Sequence, residues 1–568
     1  MYQCLKRGLS SLSYIHNVGK EPLQPQTIGN LIDKCVEKYG RDVAIISVHD
    51  GRRVSYDDIL NESNLLAAGL QKMGLEKGDR VALWAPNIIE WVTTHYAIAR
   101  SGLITVTLNP ISHEKELMYC INKVGIKAIV CPDIYKNLNF YETLCRVVPG
   151  LDKCDQRKLK SEKVPSLESI VNISQKSLRG THNYYDILNN TDNTGVDRIK
   201  KLQKEIPIDA IANIQFTSGT TGKPKATCLT HFQIVNNSYN IGKRLELDKG
   251  PNNYFVQVPL FHAFGTIVAL LAAPHFGTTL TLGSPMYSPE ANLLAIEQEK
   301  CTITCGTPTM FVDLVNLQIQ KKRKLNLTTA ISGGSPCSPQ LFKDMKEVLN
   351  LKKLKSVYGL TESSAVCFQS LPDEDEDKAI NTVGYIGEHL EAKVVDEQNN
   401  IVPRGTTGEL CIRGYVVMAG YRGDEKKTKE VLGNDGWFKT GDQFVLREDG
   451  YGKIVGRIKD IIIRGGENIF AKEIEDVINN HPNIMEVQVI GIQHERLGEE
   501  VCGCIRLKPG CKVNYEDLRQ HCEKHLSPYK IPSQWRVVER FSKTATGKVM
   551  KNELRKLIEI EGNRKNKI

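Results

Sequence analysis

Short apolar runs rich in β-branched residues alternate with segments of helical period over most of this 568-residue chain. The strand-like runs lie at residues 80–85, 128–131, 211–216, 278–282, 301–305 and 329–332, and the clearest helical segments at residues 61–72 and 289–299. Strands that alternate with helices pair in parallel, so this pattern predicts sheets covered by helices. A polar stretch at residues 153–204 interrupts the pattern, and we interpret it as a loop insertion or linker within a domain.

The C-terminal part of the chain carries its own strands and helices. Residues 487–492, 501–507 and 535–541 are strand-like, whereas residues 471–479 and 515–525 have a helical period. We therefore predict an α/β protein with two domains. A large N-terminal domain with parallel-rich sheets wrapped by helices covers residues 21–458, and a small α/β domain covers residues 459–568.

The composition is that of an ordinary globular protein, with 40% hydrophobic and 25% charged residues. The net charge of +9 is mild for this length and fits anionic small ligands as easily as nucleic acid. No nucleic-acid motif accompanies the charge, so we expect no nucleic-acid partner. The most apolar stretch, residues 266–276, is about half the length that crosses a bilayer, so we expect no transmembrane helix.

The first 20 residues differ in composition from the rest of the chain. They contain three basic residues and several serines, and no acid precedes Glu21. This composition is typical of an organellar transit peptide, so we expect residues 1–20 to direct the protein to mitochondria. The alternative is an ordinary frayed terminus on a cytosolic protein. The sixteen cysteines show no zinc-ligand spacing and suit a reducing compartment.

A glycine- and hydroxyl-rich loop, TSGTTGKPK at residues 217–225, directly follows one predicted strand. Backbone N–H groups, hydroxyls and two lysines can converge there on phosphate oxygens. A Walker A loop needs four residues between its glycine and the Gly-Lys pair, whereas two intervene here. The loop therefore predicts a phosphate site outside the P-loop class. Its members are Thr217, Ser218, Gly219, Thr220, Thr221, Gly222, Lys223 and Lys225.

Seven further motifs follow this loop along the chain. They are FHAFG at 261–265, GGSP at 333–336, YGLTE at 358–362, KTGD at 439–442, GRIKD at 456–460, GGEN at 465–468 and TGK at 546–548. This ordered set resembles the acyl-adenylate-forming superfamily, which includes acyl-CoA synthetases, peptide-synthetase adenylation domains and luciferases. Residues 13–16 (SYIH) and 464–468 (RGGEN) look most like those of the mitochondrial medium-chain fatty acyl-CoA ligases.

The resemblance implies a role for each motif. It implies that the adenine and ribose are bound by Gly333, Gly334, Ser335, Tyr358, Gly359, Thr361, Asp442 and Arg457. It also implies that Mg²⁺ is held by Glu362 and that His262 lies at the gate of the acyl site. A small domain that rotates about Lys459 would then bring Gly465, Gly466 and Glu467 to the CoA-dependent step.

The chemistry of the implied reaction supports a cationic catalytic residue. Joining a carboxylate to the α-phosphate of ATP brings two anions together, and fixed cations stabilise the resulting charge. Lys548 is the candidate because its flexible stem carries a point charge to both groups. Glu362 offers the carboxylate oxygens that Mg²⁺ prefers, although a Glu there could equally cap a helix. Asp442 could accept from two ribose hydroxyls or form a turn.

The sequence allows two interpretations of His262 and of the apolar run that follows it. His262 could orient the carboxylate or could be a buried structural histidine. The apolar run at residues 267–273 fits an acyl channel and a core helix equally well. In addition, the family usually has Gly where this chain has Ala226, and a positive φ there would strain alanine by roughly 1 kcal/mol.

We therefore expect a ligase that uses ATP, Mg²⁺ and coenzyme A. It would convert a fatty carboxylate, medium-chain by the resemblance, to acyl-AMP and then acyl-CoA, releasing pyrophosphate and AMP. The alternatives are adenylation of an amino acid or other carboxylate without CoA transfer, and an inactive nucleotide-binding scaffold. The joint presence of Lys548, Glu362 and Asp442 argues against the scaffold, because a decayed site usually loses a charged member.

Overall fold

Two large sheets, both parallel in their central strands, form the interior of the N-terminal domain. The computed structural model describes residues 11–154, 159–217, 224–335, 337–465, 467–494, 496–544 and 548–565. The first sheet has eight strands in the order His182–Asn183, Ser169–Ile173, Ile126–Pro132, Arg80–Leu83, Ile104–Thr107, Ile211–Thr217, Lys225–Thr230 and Gly420–Tyr421. Its strands are parallel up to Ile211–Thr217, and the last two pair antiparallel.

The second sheet has nine strands. Their order is Tyr385–Ile386, Phe368–Gln369, Lys353–Tyr358, Thr329–Gly333, Ile303–Gly306, Asn253–Val256, Thr279–Leu282, Val43–Ser47 and Arg52–Ser55. The strands from Lys353–Tyr358 to Val43–Ser47 are parallel, and the outer pairs are antiparallel. One apolar core contains buried residues from both sheets and from the helices between them. The predicted α/β class with parallel-rich sheets is therefore confirmed.

Helices cover the sheets along most of the chain, as the alternation predicts. They are Ile28–Tyr39, Tyr56–Lys72, Ile89–Arg100, Glu114–Val124, Phe140–Val147, Tyr184–Asn189, Asn193–Leu202, His231–Arg244, Pro289–Gln298, Pro308–Lys321, Pro339–Val348, Glu376–Asn381, Glu425–Val431, Ala471–Asn479, Tyr515–Glu523 and Lys551–Lys565. Within the described residues, no helix combines the length and apolar content that crossing a bilayer requires.

The polar stretch at residues 153–204 is part of the fold, so its interpretation as a loop or linker was wrong. It contributes the strand Ser169–Ile173, which pairs with Ile126–Pro132, and the helices Tyr184–Asn189 and Asn193–Leu202. Every residue of that strand is buried. The lysines and asparagines around these short elements mask their periodicity in the sequence.

A third, fully antiparallel sheet carries the KTGD motif. Its strands are Tyr14–Asn17, Leu390–Val395, Thr407–Gly414, Phe438–Leu446 and Gly452–Arg457, in that order. The first of them pairs along its length with Leu390–Val395, and the Tyr14 hydroxyl donates to Glu391 at 2.7 Å. The predicted leader of residues 1–20 thus overlaps a strand of the folded domain, so that domain begins before residue 21.

The small C-terminal domain has a mostly antiparallel sheet. Its strands are Glu467–Ile469, Ile462–Arg464, Gly498–Leu507 and Ile484–His494, and Gln534–Val537 adds in parallel to Gly498–Leu507. The predicted hinge residue Lys459 lies in a short turn, Ile458–Asp460, between the last strand of the third sheet and the first of this one. The helix Ala471–Asn479 contacts the strand Gly452–Arg457 of the large domain.

Candidate active site

A cavity of about 580 Å³ lies between the large and small domains and gathers residues from five of the predicted motifs. The large domain contributes two neighbouring strand ends and part of the third sheet. The small domain contributes Lys548 together with residues of the helix Ala471–Asn479, the strand Ile484–His494 and the start of the helix Lys551–Lys565. The motif residues that line the cavity are Gly334, Ser335, Tyr358, Gly359, Asp442, Gly456, Arg457, Lys459, Asp460 and Lys548.

Parallel pairing explains why GGSP and YGLTE meet at this cavity. The strand Thr329–Gly333 pairs with Lys353–Tyr358, and both end at the same edge of the nine-stranded sheet. The backbones approach closely, since a Cβ on Gly333 would lie 2.4 Å from Val357 Cγ2. Gly334 has a φ of +83°, a conformation that glycine adopts without strain. The edge therefore presents bare backbone beside the aromatic ring of Tyr358.

The Asp442 carboxylate is held by residues from two sheets. It is 2% exposed and accepts a hydrogen bond of 2.7 Å from the Tyr358 hydroxyl on Oδ2. Arg457 stands opposite it on the adjacent strand, with Nε 3.4 Å from Oδ1. Burial raises the pKa of Asp442, and the charge of Arg457 opposes this rise. The group is a fixed, oriented acceptor at the cavity wall.

Lys548 reaches the cavity from the small domain. Two hydrogen bonds with Thr544 hold its backbone: Thr544 N donates to the Lys548 carbonyl at 2.7 Å, and Lys548 N donates to Thr544 Oγ1 at 3.1 Å. Its side chain passes beside Gly334, where a Cβ would lie 3.7 Å from Lys548 Cε. Burial, followed by the charge of Arg457, lowers the pKa of Lys548 to about 8. The amine therefore remains mostly protonated at neutral pH.

Glu362 lies in a single helical turn, Thr361–Ser363, directly after the strand that ends at Tyr358. It is 7% exposed, and its Oε1 accepts from the Tyr421 hydroxyl at 2.8 Å and from Thr217 Oγ1 at 3.5 Å. Among the described residues, the hydrogen bonds to this side chain end on Oε1. The second oxygen, Oε2, is thus suited to a divalent cation, which prefers carboxylate oxygen.

Lys225 lies beside this carboxylate, at the start of the strand that follows the phosphate loop. Its Nζ donates to the Tyr421 hydroxyl at 3.0 Å and sits 4.4 Å from the centre of the Tyr421 ring. Sequence reasoning missed Tyr421, because only the pairing of its two-residue strand with Lys225–Thr230 brings it here. The other loop residues, Ser218 to Lys223, lie outside the described residues.

Ala226 does not have the positive φ that would strain an alanine where the family usually has glycine. It lies in the strand Lys225–Thr230, pairs with Phe216 and is fully buried. The positive-φ residues among the described part of the chain do not include it. Alanine therefore fits this position as an ordinary strand residue.

His262 is not among the residues that line the cavity. Its Nδ1 accepts from Phe264 N at 3.2 Å, and burial together with Lys548 lowers its pKa to about 3. The imidazole is therefore neutral. The apolar run that follows forms a buried π-helix, Phe264–Leu270, which leaves both interpretations of this segment open.

Two predicted loop residues lie away from the cavity in this arrangement. Gly465 and Glu467 belong to the hairpin of Ile462–Arg464 and Glu467–Ile469, and neither is a cavity-lining residue. Gly465 has a φ of +59° and donates to the Leu497 carbonyl at 2.8 Å. Gly466 lies outside the described residues. The small domain thus presents Lys548 to the cavity and this hairpin elsewhere.

Known protein families and relatives match nearly the whole chain. A family model described as AMP-binding enzyme matches residues 32–422, and one described as AMP-binding enzyme C-terminal domain matches residues 473–548. The mitochondrial medium-chain acyl-CoA ligase ACSF2 of Danio rerio is 40% identical over 550 residues, covering 96% of this chain and 91% of the relative. The Homo sapiens protein of that name is 36% identical, covering 97% and 90%. The putative acyl-CoA synthetase YngI of Bacillus subtilis (strain 168) is 36% identical, covering 93% and 96%.

Solved structures share the fold. The anthranilate CoA ligase AuaEII in complex with anthranoyl-AMP superposes with a TM-score of 0.83 at 22% identity, covering 94% of this chain and 98% of that one. ATP-bound MatB from Rhodopseudomonas palustris gives a TM-score of 0.79 at 24% identity, with coverage of 94% and 99%. The family matches, the full-length relatives and the shared architecture agree with the motif resemblance, and the chain belongs to the AMP-binding enzyme family.

Proposed function

We propose that this enzyme is an ATP-dependent acyl-CoA ligase that activates a medium-chain fatty carboxylate in two steps. The carboxylate and ATP first give acyl-AMP and pyrophosphate, and CoA then displaces AMP to give acyl-CoA. The observation that carries the proposal is the convergence of Lys548 from the small domain with Tyr358 and Asp442 of the large domain in one cavity. The Danio rerio and Homo sapiens relatives, which match nearly the whole chain, are named medium-chain acyl-CoA ligases.

The large domain supplies the nucleotide site in this proposal. Asp442 accepts from the ribose hydroxyls, and Arg457 contributes positive charge to the ribose or phosphate. The adenine base packs on the ring of Tyr358 and against the exposed backbone of Gly334, which the buried Gly333 precedes. Ser335 and Gly359 follow the same two strand ends, and Thr361 begins the helical turn that carries Glu362; we assign all three to this site.

Lys548 acts in the first step. A carboxylate oxygen of the fatty acid forms a bond to the α-phosphorus, and the bond from that phosphorus to the pyrophosphate oxygen breaks. The ammonium of Lys548 offsets the charge that gathers on the α-phosphate and the incoming carboxylate. Thr217, Lys225 and the remaining loop residues, 218–223, hold the β- and γ-phosphates.

Glu362 is the ligand that this chain offers to Mg²⁺. Its second carboxylate oxygen is suited to a divalent cation, and Thr217 lies next to its first. When bound, the ion would neutralise part of the triphosphate charge. We propose that His262, neutral at working pH, orients the fatty carboxylate at the entrance to the apolar π-helix segment Phe264–Leu270.

The second step needs a different arrangement of the small domain. The CoA sulfur forms a bond to the acyl carbon, the bond from that carbon to the AMP phosphate oxygen breaks, and the thiol proton leaves to solvent. Lys548 has no further charge to offset and must withdraw. We propose that the small domain rotates about Lys459 and brings Gly465, Gly466 and Glu467 to the cavity.

We also propose a mitochondrial location, which the names of the relatives support. The strand Tyr14–Asn17 is part of the folded domain, so a removable leader would be shorter than the predicted 20 residues. A fusion of the first ten residues to a fluorescent protein tests the location. Diffuse cytosolic fluorescence would contradict it.

A chain-length series tests the proposed activity. Purified protein is supplied with ATP, Mg²⁺, CoA and saturated acids from butyrate to stearate, and AMP and acyl-CoA are quantified. We expect both products in equal amounts, with a maximum at medium chain lengths. Pyrophosphate exchange with amino acids in place of fatty acids is the control. Exchange with an amino acid alone, or ATP binding without AMP release for every acid, would contradict the proposal.

A further inference from the structure

The hydroxyl of Tyr421 lies between the phosphate-loop lysine and the candidate metal-binding carboxylate. It donates to Glu362 Oε1 at 2.8 Å and accepts from Lys225 Nζ at 3.0 Å. The Tyr421 side chain is 5% exposed, and the Lys225 ammonium also lies over its ring. One phenol therefore touches both charged groups in a buried setting.

Main-chain hydrogen bonds hold Tyr421 in this position from both sides. The strand Gly420–Tyr421 pairs with Lys225–Thr230, the strand that begins at Lys225. Two residues before this strand begins, Met418 N donates to the Glu362 carbonyl at 2.8 Å. The backbone N–H of Tyr421 itself donates to Thr428 Oγ1 at 2.9 Å. The segment is thus bonded to the strand that begins at Lys225 and to the backbone of Glu362.

The direction of the two hydrogen bonds follows from the chemistry of the groups. An ammonium can only donate, and an ionised carboxylate can only accept. A phenol, whose ordinary pKa is about 10, keeps its proton at neutral pH. The hydroxyl can therefore accept from Lys225 and donate to Glu362 at the same time.

Without this hydroxyl, the two opposite charges would be free to pair directly. A lysine and a glutamate in a low-dielectric setting attract each other strongly, and a direct pair satisfies each group with the other. Such a pair would occupy the carboxylate that is to receive a cation and the ammonium that is to receive a phosphate.

Resting on the proposed function, we propose that Tyr421 is a positioning residue that keeps Lys225 and Glu362 from forming a direct ion pair. Each group then keeps its charge for the ligand. The ammonium is available to a phosphate oxygen, and the carboxylate is available to a divalent cation. The role is one of spacing, and the phenol itself contacts neither substrate nor reacting atoms.

Metal binding in the absence of turnover is the primary test. Mn²⁺, which takes the same oxygen ligands as Mg²⁺, is titrated by electron paramagnetic resonance with a non-reacting ATP analogue present and no fatty acid. We expect Tyr421→Phe to weaken Mn²⁺ binding about tenfold. Tyr56→Phe is the matched control, because it removes another buried hydroxyl, which donates to the Thr278 carbonyl at 2.6 Å. It should leave Mn²⁺ binding unchanged.

A double variant separates spacing from simple loss of a hydrogen bond. If Lys225 captures Glu362 in Tyr421→Phe, then adding Lys225→Met should restore Mn²⁺ affinity to within about threefold of the unmodified protein. Affinity for the ATP analogue should stay weak, because the phosphate-binding cation is gone. Mn²⁺ affinity that falls further in the double variant would overturn the proposal.

Two further measurements keep the proposal testable if Tyr421→Phe is unstable. Thioester formation from supplied acyl-AMP needs neither group, so a variant that retains it is folded. If that activity is lost, Lys225→Met in the otherwise native chain decides the question. With Tyr421 present, that variant should change Mn²⁺ affinity less than about threefold, and a tenfold gain would show a direct pair already present. Failure of the unmodified protein to form acyl-CoA would instead contradict the proposed function.

Discussion

The Tyr358 hydroxyl donates a 2.7 Å hydrogen bond to the Asp442 carboxylate, and this contact joins two different sheets. Tyr358 ends a parallel strand of the nine-stranded sheet, whereas Asp442 lies in the antiparallel sheet that leads to the small domain. The residue proposed to pack on adenine therefore also fixes the residue proposed to hold ribose. One hydrogen bond therefore links the two proposed binding groups directly.

Tyr358→Phe should weaken AMP binding about tenfold, because it leaves the buried Asp442 carboxylate with one fewer donor. The free energy of unfolding should fall by about 1–2 kcal/mol for the same reason. Calorimetric titration with AMP and urea unfolding check the two effects. Tyr56→Phe should lose similar stability and bind AMP normally. Unchanged AMP affinity in Tyr358→Phe would refute the link between the two groups.

Lys548→Ala should slow acyl-AMP formation by about a hundredfold or more, since it removes the cation proposed to offset charge on the α-phosphate. Thioester formation from supplied acyl-AMP should be spared. The two half-reactions are followed separately by pyrophosphate exchange and by acyl-CoA release. Lys508→Ala, which removes another lysine at the cavity wall, is the control. Equal loss in both half-reactions would contradict the assigned role.

The first half-reaction should lose activity on the alkaline side near pH 8. The pKa of Lys548 is lowered to about 8 from the ordinary 10.5, and only the protonated amine offsets negative charge. We therefore expect kcat/KM for ATP to fall about tenfold per pH unit above that value. The free energy of unfolding changes in the opposite direction. Below pH 8 the buried charge of Lys548 destabilises the folded state, and the free energy of unfolding rises as this charge is lost between pH 8 and 10.5.

Lys548→Arg checks this pH assignment, since a guanidinium keeps its proton throughout the range. In this variant the pH at which kcat/KM begins to fall should rise by at least one unit, even if the maximal rate is lower. A fall that still begins near pH 8 in this variant would assign the titration to another group.

Lys459→Pro should impair the second half-reaction more than the first. Lys459 lies in the turn Ile458–Asp460 between the two domains, and proline would fix its φ and oppose rotation. Pyrophosphate exchange should stay within a few-fold of the unmodified protein, while acyl-CoA formation from supplied acyl-AMP should fall about tenfold or more. Unchanged overall turnover would count against the hinge.

Local patterns predicted the parts of the fold that depend on local sequence. The periodic segment at residues 471–479 forms the helix Ala471–Asn479, and the run at 211–216 forms the strand Ile211–Thr217. The buried strand Ser169–Ile173 was missed because the polar residues around it hide a run of only five residues. Its place between other parallel strands is a property of the whole sheet.

The candidate site also combines residues that local motifs predict with residues that only the fold brings in. Tyr358, Asp442 and Lys548 belong to sequence motifs, and they line one cavity as the motifs imply. Tyr421 carries no such signal, because its importance arises from a strand pairing between residues almost 200 positions apart. The concern about Ala226 assumed a turn, whereas the residue continues an extended strand. Positions whose role depends on long-range pairing were thus the ones that sequence patterns could not identify.

The N-terminal strand Tyr14–Asn17 is the outermost member of the sheet that contains Asp442. Removing residues 1–20 would remove the strand that pairs with Leu390–Val395. A row of N–H and C=O groups on that strand would then lack a strand partner and face water. Bare edges of this kind recruit strands from other molecules and lead to aggregation. A recombinant version that begins at residue 21 would therefore lose solubility for a reason unrelated to catalysis.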